Sequence, residues 1–363
     1  MSTLHYVALV VVALVATLVY TPLVRLASVR LGLTDKPGGR KVHTKEISRL
    51  GGVAIAGGIA TAMLAQFAGE RMGGWTRVLT GGGSPLTGTL LGLAVIFVVG
   101  LVDDIKGTRP GVKFTGQLVA AAIPIAFGLR IDFIGNPIEG GLIDIGLAGI
   151  PLTLLWIVGF TNVINLIDGL DGLAAGIAAI ASISFLMLAT QMNELVAATL
   201  AAVLIGACIG FLRYNFNPAS IIMGDSGAML IGFLLATMAL HGVMKSVAAI
   251  TLAVPLLIIG VPVFDSASAI VRRARHGRPI QEADNGHIHH RLLHRGFNQR
   301  QTVLIIYAWS IALAVCGYAV RRLPGLYELA IFVVLAILSG LMASWLGLFE
   351  AARVHGDAPF EDE

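Results

Sequence analysis

Residues 87–106, TGTLLGLAVIFVVGLVDDIK, decide the fold class of this chain. They begin with an apolar run that can cross the hydrocarbon core of a bilayer, which is about 30 Å thick and requires about 20 helical residues. Two adjacent carboxylates, Asp103 and Asp104, follow where the run ends. Apolar runs of this kind recur along the chain, and the sequence therefore predicts an all-α polytopic integral membrane protein.

Composition supports this prediction. Hydrophobic residues make up 56% of the 363 residues and charged residues only 13%, whereas a soluble domain has about 25% charged residues. So few charges cannot cover a water-exposed surface, and the bilayer must solvate most of the exterior. We expect one transmembrane domain over residues 1–348 and a cytoplasmic tail at 349–363. The basic loops are not interleaved with aromatic residues, so we expect no nucleic-acid binding.

About eleven apolar runs are long enough to span a bilayer. They cover residues 4–24, 51–68, 87–103, 114–130, 148–164, 172–190, 194–212, 227–243, 248–269, 302–320 and 326–348. Lys and Arg are concentrated in the loops that follow odd-numbered spans, which places these loops and the C-terminus in the cytoplasm and the N-terminus outside. The first apolar run has no positive charge before it, so we expect a retained span rather than a cleaved signal peptide.

The polar clusters all fall in the loops assigned to the cytoplasm. These loops are residues 25–50, 103–113, 165–171, 213–226 and 270–301. A single site built from several loops explains this placement most simply. We therefore expect an active-site cleft that faces the cytoplasm.

The acidic clusters have the composition of a divalent-cation site. Adjacent carboxylates such as Asp103 and Asp104 repel each other unless a cation, a lysine or an arginine lies nearby, although they could also form a solvated cap at the interface. In NVINLIDGLDG, a helix would place Asn165, Asp168 and Asp171 roughly on one face. Oxygen ligands of this kind suit Mg²⁺; the alternative is a polar turn between spans.

Two further clusters could bind phosphate or metal. Asp225 in MGDSG is either a metal carboxylate beside a phosphate-binding helix N-terminus or a simple N-cap. In HIHHRLLHR, His287, His289, His290 and Arg291 could grip a diphosphate. The alternatives are a zinc site, which lacks a nearby cysteine, and a solvated basic loop. Lys45 in the first loop could contact a phosphate or only contribute to the positive-inside signal.

Four motifs in this order, GLVDDIKG, NVINLIDGLDGLAAG, MGDSG and HIHHRLLHRGFNQRQ, resemble the polyprenyl-phosphate N-acetylhexosamine-1-phosphate transferase family. The resemblance implies ten or eleven helices around a cytoplasmic cleft, a UDP-N-acetylhexosamine donor and a polyprenyl phosphate acceptor, commonly undecaprenyl phosphate. It implies Mg²⁺ as cofactor, for which Mn²⁺ can substitute, and a role in starting cell-envelope polysaccharides such as lipopolysaccharide or teichoic acid. The oligomeric state stays open, a homodimer included.

The resemblance also implies roles for individual residues. The magnesium ligands would be Asn165 and Asp225. The catalytic residues would be Asp103 and Asp104 beside the acceptor phosphate, Asp168 near the metal or uridine, and His287, His289 and His290 on the diphosphate or sugar. Asp171, near the metal or uridine, and Arg291, on the diphosphate or sugar, would bind substrate, and we expect the same of Lys45 and Asn217.

The last motif bears on the donor sugar. The branch that uses UDP-MurNAc-pentapeptide has three consecutive histidines, whereas Ile288 interrupts the run here. This pattern resembles the branch that uses UDP-GlcNAc, so a MurNAc-pentapeptide transferase is the alternative. An ion-coupled transporter is the alternative from another class, but the acids gather on one predicted face and no internal repeat is evident.

Overall fold

The computed structural model describes residues 3–35, 46–135, 141–243, 253–275, 286–320 and 325–345, and this part of the chain is mostly helical. The helices are α1 Thr3–Arg30, α2 Gly51–Arg71, α3 Gly83–Lys106, α4 Pro110–Ala126, α5 Gly149–Ile167, α6 Leu173–Gln191, α7 Leu195–Asn215, α8 Gly224–Val243, α9 Ala253–Ile258, α10 Gly260–Arg275, α11 Ile288–His294, α12 Gln299–Val320 and α13 Gly325–Trp345. The predicted all-α class is therefore confirmed.

Within the described ranges, 8 helices are long and apolar enough to cross a membrane. They are α1, α2, α3, α5, α6, α7, α8 and α12, each of which coincides with a predicted span. The fourth predicted span forms α4, which has 17 residues. The eleventh forms α13, in which residues Val333–Met342 make a shorter apolar helix. The chain is thus a multi-pass membrane protein.

The ninth predicted span, residues 248–269, differs from the structure. Within its described part the chain forms two helices: α9 ends at Ile258, and α10 begins at Gly260 and continues to Arg275. Gly260 and Pro262 lie in the first turn of α10, and a proline there lacks the N–H that would continue a preceding helix. The described part of this predicted span is therefore two helices rather than one, and the second of them, α10, contains polar residues such as Asp265.

Helix α8 forms the core of the bundle. It packs against α2, α3, α5, α6 and α7, and nearly all its side chains are buried. Close packing depends on small residues in the neighbouring helices: a Cβ at Gly92 of α3 would lie 2.6 Å from the ring of Phe233. The indole N–H of Trp156 in α5 donates to the carbonyl of Ala236 at 3.2 Å. These contacts hold α8 among its neighbouring helices.

The described part of the chain also contains two small antiparallel hairpins. Strand β1 (Thr34–Asp35) pairs with β2 (Ile47–Ser48), and β3 (Phe133–Gly135) pairs with β4 (Leu142–Asp144). The segment after β2 runs beside the residues that precede α8.

Three backbone hydrogen bonds join the residues around the end of β2 to the residues that precede α8. The N–H of Ile222 donates to the carbonyl of Ser48 at 2.9 Å. The N–H of Gly51 donates to the carbonyl of Ile222 at 3.1 Å, and the N–H of Gly52 to that of Met223 at 2.8 Å. The end of the first loop is thereby attached directly to the start of α8.

Candidate active site

The two oxygens of Asp104 bind the first turn of α8. The backbone N–H of Asp225 donates to Oδ1 at 2.7 Å, and the N–H and hydroxyl of Ser226 donate to Oδ2 at 2.9 and 2.5 Å. Gly224 precedes them with φ 73°, and an added Cβ there would lie 2.7 Å from both carboxylate oxygens. The first N–H groups of a helix lack intrahelical acceptors and favour negative charge, so buried Asp104 serves α8 as a cap.

Asp103 has different partners from its neighbour. The ammonium of Lys113, in the first turn of α4, lies 3.2 Å from Asp103 Oδ2 and 2.5 Å from Asp225 Oδ1. The other oxygen of Asp103 accepts the N–H of Thr108 at 2.7 Å and also its hydroxyl. The positive group expected beside the acid pair is therefore Lys113, and it links the end of α3 to the start of α8.

The acids of the NVINLIDGLDG segment do not share a helix face. Helix α5 ends at Ile167, so Asn165 lies in its last turn, Asp168 follows as the C-cap residue and Asp171 lies in the turn before α6. Asp168 has ψ 50° rather than a helical value, and Gly172 has φ 81°, a left-handed conformation that glycine adopts easily. The segment is therefore not one continuous helix, which was the condition for a shared face, and its backbone forms the turn between spans that was the alternative.

Asp171 and Asn217 join two loops. Asp171 Oδ2 accepts the side-chain N–H of Asn217 and the backbone N–H of Ala219, both at 3.0 Å. The amide of Asn217 also donates to Gln299 Oε1 at 2.6 Å, at the start of α12. These two predicted substrate-binding residues thus hold the α5–α6 turn, the α7–α8 loop and α12 together.

Asp168 lies near several other carboxylates. Burial raises its pKa to about 8, and the negative charges of Asp225, Asp104 and Asp171 add to the effect. A carboxyl group with this pKa holds a proton near neutral pH. A cation close by would favour the ionised form instead.

The histidine motif starts with a buried hydrogen-bonded pair. Asp265 Oδ2 lies 2.8 Å from His287 Nδ1, and Asp265 Oδ1 accepts the N–H of Ile288 at 2.8 Å. Asp265 and His287 are both buried. Asp265 therefore holds both the first histidine and the first residue of α11.

The three predicted catalytic histidines lie side by side. The rings of His287 and His289 are stacked, with centroids 5.7 Å apart and 3° between their planes, and the ring of His290 lies 4.2 Å from that of His289. Burial is the main cause that lowers the pKa of His289 to about 3, so its ring is neutral at physiological pH. An added Cβ at Gly169 would lie 2.6 Å from His289 Nε2. The missing side chain of Gly169 therefore lets His289 pack on the turn that carries Asp168.

Arg291 follows these histidines in α11, and its backbone N–H donates to the carbonyl of His287 at 3.1 Å. Its side chain is partly buried. Lys45 lies outside the described residues, and the described part of the first loop begins at Glu46.

An amide pair lies one helical turn deeper in the bundle. Asn162 Nδ2 donates to Gln117 Oε1 at 2.7 Å, and Gln117 Nε2 donates back to Asn162 Oδ1 at 3.2 Å. Gln117 is four residues after Lys113, and Asn162 is three residues before Asn165. The pair therefore ties the helix of the lysine to the helix of the candidate metal ligand.

Four clusters that are distant in sequence thus meet at one end of the helix bundle. Asp103, Lys113 and Asp225 are joined by ion pairs. The charges of Asp104 and Asp225 act on Asp168, whose neighbouring glycine packs against His289. These contacts connect part of the set expected from the sequence, and a place for Asn165 and Lys45 beside it stays a prediction.

The donor set fits a magnesium ion that the protein holds by few ligands. Among the described residues, no group of three or more His, Cys, Asp or Glu side chains is arranged to hold a metal. Mg²⁺ commonly takes one or two carboxylates and completes its coordination with water and substrate phosphates. Asp225 and Asn165 offer oxygen atoms of the right chemistry, while the ammonium of Lys113 lies at Asp225 Oδ1.

Sequence reasoning overlooked three polar groups of this site. Lys113 belongs to a basic loop, Asp265 lies within a predicted apolar span, and Gln117 and Asn162 lie within two other predicted spans, so none of them is predicted as a site residue. Ionisable residues within membrane segments are costly and usually functional, so Asp265 could have been found by this signal. Lys113 could have been found by asking which cation lies nearest the acid pair in sequence.

Fold and site together define a class: a multi-pass membrane protein with carboxylates, a lysine and histidines gathered at one end of the bundle. Comparisons with known proteins identify the family within this class. The pattern of glycosyl transferase family 4 matches residues 86–243. A protein of Bacillus subtilis (strain 168) named probable undecaprenyl-phosphate N-acetylglucosaminyl 1-phosphate transferase is 36% identical over 338 residues, which is 93% of this chain and 91% of that protein.

Two other relatives carry the names of two different transferases. Decaprenyl-phosphate N-acetylglucosaminephosphotransferase of Mycobacterium tuberculosis (strain ATCC 25618 / H37Rv) is 37% identical over 319 residues, 82% of this chain and 78% of the relative. A phospho-N-acetylmuramoyl-pentapeptide-transferase of Desulforudis audaxviator (strain MP104C) is 31% identical over 339 residues, 85% and 96% of the two chains. This chain belongs to the polyprenyl-phosphate N-acetylhexosamine-1-phosphate transferase family and is a glycosyl-1-phosphate transferase. The transporter alternative finds no support among these relatives.

Proposed function

We propose that this enzyme transfers N-acetylglucosamine-1-phosphate from UDP-GlcNAc to undecaprenyl phosphate or a related polyprenyl phosphate. The products are polyprenyl-diphosphate-GlcNAc and UMP. The reaction takes place at the cytoplasmic face of the cell inner membrane and starts a cell-envelope polysaccharide. The observation that carries this proposal is the meeting of Asp103, Lys113, Asp225, Asp168 and the histidines at one end of an apolar bundle, where a water-soluble donor can reach a membrane-embedded acceptor.

The acceptor phosphate is the nucleophile in this proposal. A phosphate monoester has a second pKa of about 6 and is mostly dianionic near pH 7. Its oxygen attacks the β-phosphorus of the donor, a new P–O bond forms, and the P–O bond to the UMP phosphate breaks, so that UMP leaves with the bonding pair. No general base is required. Two alternatives stay open: an aspartate as covalent nucleophile, and Asp103 or Asp104 as a base toward a monoanionic acceptor.

The contacts of Asp104 support a positioning role for this residue. Three hydrogen bonds from the start of α8 occupy its two oxygens, which leaves little capacity to take a proton from a substrate. Asp103 shares Lys113 with Asp225. In this scheme the lysine and the acids fix each other, and the lysine offers a positive charge to an incoming phosphate.

Charge repulsion between the acceptor phosphate and the donor diphosphate is the main obstacle to the reaction. Asn165 and Asp225 would hold Mg²⁺, or Mn²⁺ as a substitute, and the bound ion would supply positive charge against the diphosphate. His290 and Arg291 donate hydrogen bonds to phosphate or sugar oxygens, and His287 accepts a hydrogen bond from a sugar hydroxyl through Nε2. Lys45, which lies in the first loop, binds a phosphate of a substrate. His289, whose ring is neutral and packed on Gly169, positions its neighbours in α11.

A direct assay tests the proposal. Purified protein in nanodiscs is given undecaprenyl phosphate with either UDP-GlcNAc or UDP-MurNAc-pentapeptide, and UMP release is measured with Mg²⁺, with Mn²⁺ and with EDTA. We expect UMP release only with UDP-GlcNAc, only with the lipid, and only with a divalent cation. Preference for UDP-MurNAc-pentapeptide would favour the alternative donor, for which the relative at 31% identity is named. A sugar-phosphate trapped on the protein without lipid would overturn direct attack.

A further inference from the structure

We propose that Asp265 is a positioning residue of this active site, which sets the ring orientation and the proton position of His287 and fixes the start of α11. This inference rests on the proposed function. Neither the motifs nor the family comparison assigns Asp265 a role, and the residue lies in α10, outside the four motifs.

The first argument is the set of hydrogen bonds that the buried carboxylate of Asp265 accepts. Its side chain is 2% exposed, and burying a carboxylate is costly unless hydrogen-bond donors surround it. The two oxygens have separate partners, His287 Nδ1 and the N–H of Ile288, both at 2.8 Å. Both donors belong to the histidine motif. The contact therefore anchors this motif to α10 at two atoms.

The second argument concerns the proton of His287. An ionised carboxylate can only accept hydrogen bonds, so the ring nitrogen that faces it must carry a proton. In a neutral ring, the lone pair then lies on Nε2, the nitrogen directed away from Asp265. Carboxylates that orient a metal-ligating histidine act in this way, and their replacement typically lowers activity about 10–100-fold; we expect an effect of the same size here.

The third argument is that the position of His287 is passed on to the next histidine. His287 stacks on His289 with only 3° between the ring planes. Nδ1 of His289 is buried without a hydrogen-bond partner among the described residues, so this nitrogen does not fix the ring and packing contributes to its orientation. The packing surfaces are the rings of His287 and His290 and the backbone at Gly169. Asp265 thus supports the contact between the histidine motif and the turn of Asp168.

Asp265→Asn separates anchoring from proton placement. The asparagine oxygen can still accept the N–H of Ile288, and its NH₂ group then faces His287 Nδ1 as a donor. This contact requires a lone pair on Nδ1 and moves the proton of a neutral ring to Nε2. We expect kcat for UMP release to fall about 10–100-fold, with less than a threefold change in KM for the donor and little change in the thermal unfolding midpoint.

A double-mutant cycle with His287→Asn distinguishes positioning from a general structural role. If Asp265 acts through His287, Asp265→Asn changes kcat less than twofold in a chain that already carries His287→Asn. A merely structural Asp265 would lower kcat by the same factor in both backgrounds, and this result would overturn the inference. An unchanged kcat in Asp265→Asn alone would overturn it as well.

Controls keep the test independent of folding and of the proposed function. Ser268→Ala removes a buried hydroxyl of the same helix that donates to the backbone carbonyl of Asp265 at 2.8 Å, and we expect kcat within twofold of the unsubstituted protein. Should Asp265→Asn not fold, Asp265→Ser gives the same cycle, since its shorter side chain cannot reach His287. Absence of UMP release from the unsubstituted protein marks failure of the proposed function instead.

Discussion

Replacement of Asp104 by asparagine is expected to lower stability and activity together, because this residue caps α8. The carboxylate accepts one hydrogen bond on Oδ1 and two on Oδ2, from Asp225 and Ser226. Asparagine has one oxygen. In its better orientation that oxygen keeps both bonds from Ser226, while the NH₂ group faces the N–H of Asp225, so one charge-assisted bond is lost and two donors oppose each other.

The size of the effect follows from these contacts. A hydrogen bond to a charged group contributes about 1.5–3 kcal/mol, and the interaction of a negative charge with a helix N-terminus about 0.3–1 kcal/mol. We therefore expect Asp104→Asn to reduce the free energy of unfolding by about 2–4 kcal/mol. Ser226→Ala removes one hydrogen bond to the same carboxylate but keeps its charge, and should cost about 1.5–3 kcal/mol, which makes it the matched control.

The assay combines thermal unfolding in detergent with UMP release on the same preparations. We expect the order Ser226→Ala, Asp104→Asn, Asp104→Ala in increasing loss of both quantities, since each step displaces the Asp225 backbone further. An Asp104→Asn protein with an unchanged unfolding midpoint and no activity would refute the cap and assign Asp104 to the chemistry. Recovery of its activity at high pH would favour attack by a dianionic acceptor over a base role for Asp104.

Three further predictions concern glycines and one carboxylate of the same site. Gly224→Ala should destabilise the protein by at least about 1 kcal/mol because the residue has φ 73° and its added Cβ would lie 2.2 Å from a backbone oxygen; Gly242→Ala in the same helix, whose Cβ would meet only a methyl group at 3.8 Å, should leave the unfolding midpoint unchanged. Gly169→Ala should reduce UMP release at least tenfold with a small change in the midpoint, since its Cβ would displace the ring of His289; equal activity would contradict this contact. Asp168→Asn tests the pH dependence of stability. The pKa of Asp168 in the folded protein, about 8, lies above its ordinary value, so without metal the unsubstituted protein should lose stability as pH rises from about 5 to about 8. Thermal unfolding with EDTA should show a weaker loss in the variant.

Much of this architecture is readable from the sequence because lipid imposes a simple rule on it. Apolar runs of sufficient length must form helices, since the hydrocarbon offers no partner for exposed backbone groups. The eight long apolar helices follow from this rule. The grouping of the acids and histidines at one end follows from their position in alternate loops, and the need for a positive group beside Asp103 follows from charge repulsion.

Other features depend on contacts that no local pattern contains. The end of α5 at Ile167 follows from the turn that Asp168–Gly172 forms, and the same letters would also fit one more helical turn. The different roles of Asp103 and Asp104 depend on their neighbours: Asp103 contacts Lys113 of α4, and Asp104 contacts the start of α8. Asp265 contacts His287 only because the start of α11 lies beside α10. This is a tertiary contact between residues 22 apart in sequence.

The clasp formed by Asp171, Asn217 and Gln299 has a consequence for the evolution of the enzyme. Three chain segments share this one set of hydrogen bonds, so a change at any of the three positions leaves a polar group of the other two without its partner. Homologous enzymes should therefore vary these positions jointly rather than singly. Exchange of the α12 start between two homologues should succeed only when the residue at 217 is transplanted with it.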